Sequence, residues 1–203
     1  MDDQVVLKSE GFKRCEAFHG HVCGGLAIGF QAATAGMAWL KEKRALDEEL
    51  VAVVETDACC VDAIQVLTGC TFGKGNLIFK DYGKMGFTFF NRRSGEGVRL
   101  AMKPGTFRVN ERQIELFAKS RDGSITDAER VELKALGGQR TAEVLSTPAE
   151  DLFTIVAVTA CLPDRARIEP SLPCQRCKEP TMASKLECVD GVALCRGCLD
   201  TPA

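Results

Sequence analysis

The chain has 203 residues and a mass of 22.0 kDa, enough for one domain of about 150 residues and one small module. Hydrophobic residues make up 45% and charged residues 27%, the balance of an ordinary globular protein. The net charge of -2 argues against a generally basic nucleic-acid-binding protein and against a polybasic membrane-surface protein. Eleven cysteines accompany only two histidines, so thiol chemistry is the feature of this composition that needs an explanation.

The first predicted element is a long helix from about 22 to 44. Its uncharged part, 22–40, contains Gly25-x-x-x-Gly29, a spacing that also packs helices in membranes. This part is barely long enough to span a bilayer and holds Gln31 and Thr34. We therefore interpret it as a helix buried in a protein core.

The remaining predicted elements occur in clumps rather than in strict alternation of helix and strand. Thr126 and Glu129 resemble a capping box at the start of the last helix. Strands are predicted at 50–54, 77–79, 87–90, 98–102 and 152–160, and helices at 61–67, 111–120 and 127–136. This order predicts an α+β core domain with a long N-terminal helix and a mainly antiparallel sheet.

A domain boundary is predicted where three prolines, Pro163, Pro170 and Pro173, punctuate the chain. The segment that follows is short, polar and rich in cysteine. We expect a core domain over 1–165 and a separate small module over 166–203.

The module carries two Cys-x-x-Cys knuckles, Cys174 with Cys177 and Cys195 with Cys198, separated by 17 residues. Two knuckles at this spacing are typical of a tetrahedral zinc site in which all four ligands are thiolates. Such a site is structural, because no position is left for a reacting water. Four reduced core cysteines are the alternative, but a module of about 35 residues has scarcely any core to fill.

Asp190-Gly191 between the knuckles predicts a hairpin turn, which would make the module a treble-clef or ribbon finger. The finger has no net charge and no aromatic residue between its first and last cysteine. Phosphate binding needs basic residues and base stacking needs rings, so the finger carries no strong nucleic-acid signal. Docking or dimer stabilisation is the better expectation.

A second cluster of candidate ligands, His19, His21 and Cys23, lies at the start of the long helix. Two imidazoles and one thiolate are zinc-type ligands, and a fourth ligand from another segment would leave the site partly open. Glycines on both sides let the backbone turn there. The alternative is that the histidines hydrogen-bond a turn and the cysteine fills the core.

The fourth ligand of this cluster is expected from the residues that follow the first strand. Cys59, Cys60 and Cys70 are the candidates, because side chains at a strand end tend to face a site. A carboxylate, Asp57 or Asp62, is expected to fix the tautomer of one imidazole.

Charge is unevenly distributed along the chain. Residues 1–62 include six basic and eleven acidic side chains, whereas 74–112 include nine basic and three acidic ones. The positive stretch could receive an anionic ligand. It could equally be a solvated strand face, or a surface that meets the acidic half of another subunit.

The compartment is inferred from the cysteines and the first residues. Met1-Asp2-Asp3-Gln4 lacks the basic start and apolar run of a secretory signal, and eleven cysteines cannot all pair. Reduced thiols and metal thiolates are then expected, which places the protein in the cytoplasm.

These motifs together resemble the E-subunit family of formylmethanofuran dehydrogenase. The resemblance covers most of the chain in the expected order. It rests on Phe18-His19-Gly20-His21-x-Cys23-x-Gly25-x-x-x-Gly29, Glu55-Thr56-Asp57-x-Cys59-x-x-Asp62-Ala63-Ile64-Gln65, Thr68-Gly69-Cys70-Thr71-x-Gly73-x-Gly75-Asn76-Leu77, Asp81-x-Gly83-Lys84 and Pro163-x-x-Ala166-Arg167-Ile168-x-Pro170-Ser171.

The resemblance implies an α+β core, a C-terminal treble-clef zinc finger, a tightly intertwined homodimer and an association with a molybdenum or tungsten oxidoreductase. It also implies a second metal, zinc or another transition metal, beside the His-Gly-His motif, and selects Cys59 over Cys60. His19 is then a fourth ligand or a partner of a ligand. The residues expected beside this metal or in a ligand pocket next to it are Asp57, Asp62, Cys70, Lys74 and Asn76.

Three functions are compatible with the sequence. The first is a metal-binding accessory protein, a subunit or maturation partner of a molybdenum or tungsten oxidoreductase. The second is a stand-alone enzyme that uses the core metal as a Lewis acid. The third is a metal sensor or regulator that acts through the finger. Whether the protein is an enzyme is left open by the sequence.

Overall fold

The computed structural model of the chain describes residues 3–108, 110–159 and 162–201. The chain divides into two compact units, 1–165 and 166–203. The helices of the first unit are α1 (Asp3–Lys8), α2 (Glu10–His19), α3 (Gly24–Leu40), α4 (Cys60–Thr68), α5 (Glu111–Asp122), α6 (Asp127–Ser146) and α7 (Ala149–Leu152). Its strands are β1 (Leu50–Val54), β2 (Leu77–Phe79), β3 (Gly86–Asn91), β4 (Gly97–Met102) and β5 (Phe153–Val158).

The five strands form one sheet in the order β2-β1-β3-β4-β5. Only β1 and β2 are parallel, and the other three pairings are antiparallel. The predicted α+β core with a mainly antiparallel sheet is therefore confirmed. Because side chains alternate along a strand, Phe87, Phe89 and Leu100 join the main core beneath the helices. Val53 and Phe90 join a smaller apolar cluster on the opposite face.

Helix α3 is the central element of the core. It runs from Gly24 to Leu40, four residues shorter at its end than predicted, because Lys41 adopts a left-handed conformation (φ 54°). A Cβ at Gly29 would overlap the carbonyl of Cys60 at the start of α4, and one at Gly36 would overlap the Phe89 ring. The small residues of α3 therefore allow close packing inside this unit. Among the described residues, no helix has both the length and the apolar character to cross a membrane.

Helix α6 begins as the sequence predicts and ends ten residues later. Thr126 and Glu129 form the expected capping box. The Gly137-Gly138 pair, which suggests an end, instead lies within the helix. The buried Gln31 side chain of α3 donates to the carbonyls of Val144, Leu145 and Thr147, at 3.0, 3.1 and 3.0 Å. These bonds satisfy acceptors that a helix end leaves without partners, so tertiary contacts extend α6 beyond its glycines.

The second unit is built from two short hairpins and one helix. The antiparallel pair β6 (Ser171–Pro173) and β7 (Pro180–Met182) precedes the hairpin of β8 (Leu186–Val189) and β9 (Val192–Cys195). Asp190 and Gly191 form the predicted turn, with φ of 51° and 80°. The helix α8 (Arg196–Asp200) follows directly. A knuckle, a hairpin and a second knuckle opening a helix are the elements of a treble-clef finger.

Candidate metal centres

The four cysteines of the second unit form one compact cluster. The sulfur atoms of Cys174, Cys177, Cys195 and Cys198 all lie within 4.8 Å of one another. Two of these separations, Cys174 to Cys198 and Cys177 to Cys195, are 3.8 Å. A tetrahedral zinc ion with bonds of about 2.3 Å places its sulfurs about 3.8 Å apart. The cluster can therefore hold a metal ion, and its geometry is consistent with zinc.

Backbone groups of the knuckles prepare this cluster for a cation. The Cys195 N–H donates to Cys174 Sγ at 3.3 Å, and this bond lowers the pKa of the Cys174 thiol to about 6. Lys178, at a φ of 66°, lets its N–H return to the Cys174 carbonyl at 2.9 Å and closes the first knuckle. Since the ligand in such a site is the thiolate, a lowered pKa favours metal binding.

The second cluster forms where α2 ends and α3 begins. His19 is the last residue of α2, Gly20 follows in a left-handed conformation (φ 93°), and Cys23 is the N-cap of α3. The donor atoms of His19, His21 and Cys23 lie within 4.8 Å of one another. His19 Nε2 is 3.7 Å from Cys23 Sγ. The turn between the two helices thus brings together three potential ligands.

A carboxylate of α4 holds one of these imidazoles in place. Asp62 Oδ2 lies 2.7 Å from His19 Nδ1, and the His19 side chain is only 10% exposed. The carboxylate can accept the proton of Nδ1, which leaves Nε2 directed at Cys23 with its lone pair free. This is the arrangement by which carboxylates orient histidine ligands in metal sites.

Cys59 approaches the same cluster from the N-terminus of α4. A Cβ built on Gly25 would lie 3.0 Å from Cys59 Cβ, 3.7 Å from Cys59 Sγ and 3.8 Å from Cys23 Sγ. The absence of a side chain at Gly25 therefore leaves room for both thiols. Burial raises the pKa of the Cys59 thiol, and the neighbouring Cys23 raises it further. A cation at this point would reverse that effect, because it favours the thiolate.

The other sequence candidates lie away from this cluster. Cys60 is fully buried in the core, and burial raises the pKa of its thiol to about 12. Cys70 follows the C-terminal end of α4, whereas Cys59 precedes its start, and nine helical residues span about 14 Å. Lys74 and Asn76 both donate to the Asp47 carbonyl, near the beginning of β1. Cys70, Lys74 and Asn76 thus support the core and the loop before β1.

A groove of about 270 Å³ opens beside the cluster, and sequence reasoning missed its aromatic residues. Asp57 and Asp62 contribute carboxylates to it, and Phe72 and Phe79 contribute rings. Phe72 is 80% exposed within a glycine-rich loop, which is an unusual position for a large apolar side chain. Asp57 is exposed and lines this groove without contacting His19.

Comparison with known proteins gives one family and two relatives. Residues 18–154 match the family described as "FmdE, Molybdenum formylmethanofuran dehydrogenase operon". A protein of Archaeoglobus fulgidus named "Probable S-adenosyl-L-methionine-binding protein" is 32% identical over 194 residues, which cover 91% of this chain. They cover 52% of that protein, so the chain spans about half the length of this relative.

The structural relative is an FmdE-like protein of the tungsten formylmethanofuran dehydrogenase type from Syntrophus aciditrophicus. It aligns with a TM-score of 0.61 over 99% of this chain and 94% of its own chain, at 23% identity. The fold described above is therefore shared with a solved crystal structure.

Proposed function

Since the chain belongs to the FmdE family, we propose that it is a metal-binding accessory protein with a structural zinc finger and a second metal centre in its core domain. The convergence of His19, His21 and Cys23 within 4.8 Å is the observation that carries this proposal. Cys59 supplies a fourth thiol next to Cys23. A metal held there supplies a Lewis acid, and Asp62 keeps the His19 ring oriented toward it.

The two centres should differ in how firmly they hold metal. Four thiolates leave no vacant position in the finger, whereas the core cluster combines imidazoles with thiols and lies beside a groove. We therefore expect the core metal to exchange faster. Because thiolate ligands require reduced cysteines, we place the protein in the cytoplasm.

The proposal is tested by the zinc content of four single variants. The unmodified chain should carry about two zinc ions, and Cys188→Ser, an exposed thiol outside both clusters, should match it. Cys174→Ser should lose the finger ion and become protease-sensitive after Pro170. Cys23→Ser and Cys59→Ser should each lose the core ion alone. Full zinc retention in Cys23→Ser would refute the core centre.

The proposed partner is a molybdenum or tungsten oxidoreductase, and the protein is its subunit or maturation factor. The family description, which refers to a molybdenum formylmethanofuran dehydrogenase operon, supports this role. Affinity purification of the tagged chain from its native cells should recover molybdenum or tungsten together with a large oxidoreductase subunit. Recovery of the chain without either metal would contradict it.

A second candidate function is a stand-alone enzyme, and the groove at Asp62 favours it. Carboxylates at one side and the Phe72 and Phe79 rings at the other suit a cationic ligand with an apolar body. S-adenosylmethionine has this chemistry, and the Archaeoglobus relative is named for binding it. Calorimetry should then show saturable binding that Phe72→Ala weakens at least about fivefold. No binding up to about 1 mM would remove this candidate.

A further inference from the structure

The face of the sheet opposite the main core carries a groove of about 250 Å³. Its floor is apolar and consists of Val53 and Phe90, which are 8% and 5% exposed. One side is formed by the loop after β2, with Lys80 and Tyr82, and another by Arg99 of β4. This volume suits a ligand smaller than a typical drug-sized molecule.

The charge of this groove is positive. Glu55 and Arg99 neutralise one another through a two-point ion pair, with N–O distances of 2.8 and 2.9 Å. The Arg99 guanidinium also holds the pKa of the Glu55 carboxyl below its usual range, so the pair stays ionised. Lys80 and Lys84 are exposed, and both ammonium groups lie 6.0 Å from the centre of the Tyr82 ring. Two lysines therefore remain as uncompensated positive charges around an aromatic ring.

Two donors face the groove without partners in the described part of the chain. Thr88 pairs with Val53 and Arg99 across the strands, so its side chain shares their face. It is only 7% exposed, and its hydroxyl makes no hydrogen bond there. A buried hydroxyl without a partner costs free energy unless a ligand or water satisfies it. The ion pair to Glu55 uses Nε and one terminal nitrogen of Arg99, which leaves Nη1 to donate.

The close fit of the ion pair depends on Gly86. A Cβ there would lie 2.7 Å from Glu55 Oε2 and 2.8 Å from Arg99 Nη2. The backbone of β3 thus passes directly beneath the pair and fixes Arg99 at the edge of the groove. This arrangement positions a guanidinium beside the Thr88 hydroxyl before any ligand arrives.

We propose that this groove binds a small aromatic anion, with its ring on Val53, Phe90 and Tyr82 and its carboxylate or phosphate on Lys80, Thr88 and Arg99. The apolar floor accounts for the aromatic body, and the donors account for the anion. The groove lies on the opposite face of the sheet from the helices that carry the core cluster, so this site stands independently of the metal centres.

Calorimetric titration of the full chain with phenyl phosphate and benzoate tests the site and separates the two anions. At least one should bind saturably, whereas benzylamine, with the ring but the opposite charge, should not. Inorganic phosphate, with the charge but no ring, should bind at least about tenfold more weakly than phenyl phosphate if the phosphate arm is the tighter one.

Variants locate the binding. Lys80→Met with Lys84→Met should weaken it at least about tenfold, and Thr88→Val, which keeps the shape, about threefold to tenfold. Lys134→Met, an exposed lysine of α6, should leave it unchanged and controls for net charge. Absence of saturable binding of both anions up to about 10 mM would overturn the proposal, as would equal binding of benzylamine or unchanged affinity in the Lys80/Lys84 and Thr88 variants.

Discussion

At the scale of single residues, the core cluster depends on one ligand oriented by one carboxylate. His19 is 10% exposed and fixed by Asp62 at 2.7 Å, whereas His21 is exposed and contacts the His19 ring at a centroid distance of 4.5 Å. The two imidazoles should therefore contribute differently. His19 is held before a metal arrives, and His21 is free to close onto it.

Asp62→Asn should weaken zinc binding at the core cluster about 10- to 100-fold, because the amide no longer holds Nδ1 of His19 as a charged acceptor. The affinity of the finger should not change. Competition with a chromophoric chelator measures both sites. Asp57→Asn is the matched control, since Asp57 lies five residues earlier on the same groove without contacting His19. Equal loss in the two variants would mean that the effect is general charge rather than orientation.

Residue types and spacing were enough to predict some of the sites but not others. The four finger ligands lie within two local knuckles, so their convergence follows from turn geometry alone. The turn between α2 and α3 likewise makes His19, His21 and Cys23 local to one another. Cys70 follows a helix that carries it away from Cys59, and only the length of α4 reveals this separation.

At the scale of elements, the close contact between α3 and α4 holds the core cluster together. Cys23 begins α3, and Cys59 and Asp62 begin α4. Gly29 has no side chain at the point where the Cys60 carbonyl passes. Any residue larger than glycine would push α4 away from α3, and the two thiols would separate.

Gly29→Ala should therefore destabilise the fold by about 1–3 kcal/mol or more, because its methyl group meets backbone that cannot yield easily. Gly138→Ala provides a control of opposite sign. A Cβ there meets nothing within 4 Å, and the change should stabilise the exposed part of α6 by about 0.5–1 kcal/mol. Urea unfolding followed by circular dichroism measures both. A Gly29→Ala variant as stable as the unmodified chain would contradict the packing account.

Element boundaries show where sequence reasoning stops. The strands were predicted within two residues, since short apolar runs between turns are local signals. The end of α6 was not, because the amide that satisfies its last carbonyls comes from Gln31, more than a hundred residues earlier. The helices before α3 were also not predicted. Helix α2 is largely polar, and it is held by the burial of Phe12 and Cys15.

At the scale of the whole molecule, β5 indicates where a second copy would bind. It is the last strand of the sheet, and β4 is its only neighbour among the described strands. Ile155 and Val156 are 37% and 53% exposed on this β-branched strand. An apolar edge strand readily pairs with another chain. The predicted homodimer is therefore better motivated by β5 than by the small residues of α3, which pack within one chain.

Val156→Lys should shift the protein from a dimer to a monomer of 22.0 kDa, because a charge at an apolar strand edge opposes pairing. Light scattering at micromolar concentration gives the mass directly. Val131→Lys introduces the same charge at a 71% exposed position on α6 and should remain dimeric. An unmodified chain that is monomeric under these conditions would refute the homodimer altogether.

The central claim is that one chain carries two metal centres of different character, and anomalous diffraction at the zinc edge tests it most directly. Crystals grown with a slight excess of zinc should show two strong peaks per chain. One should lie among the four finger sulfurs at about 2.3 Å, and the other at about 2.0–2.3 Å from His19, Cys23 and a further ligand. A peak in the finger alone, with none between His19 and Cys23, would contradict the account.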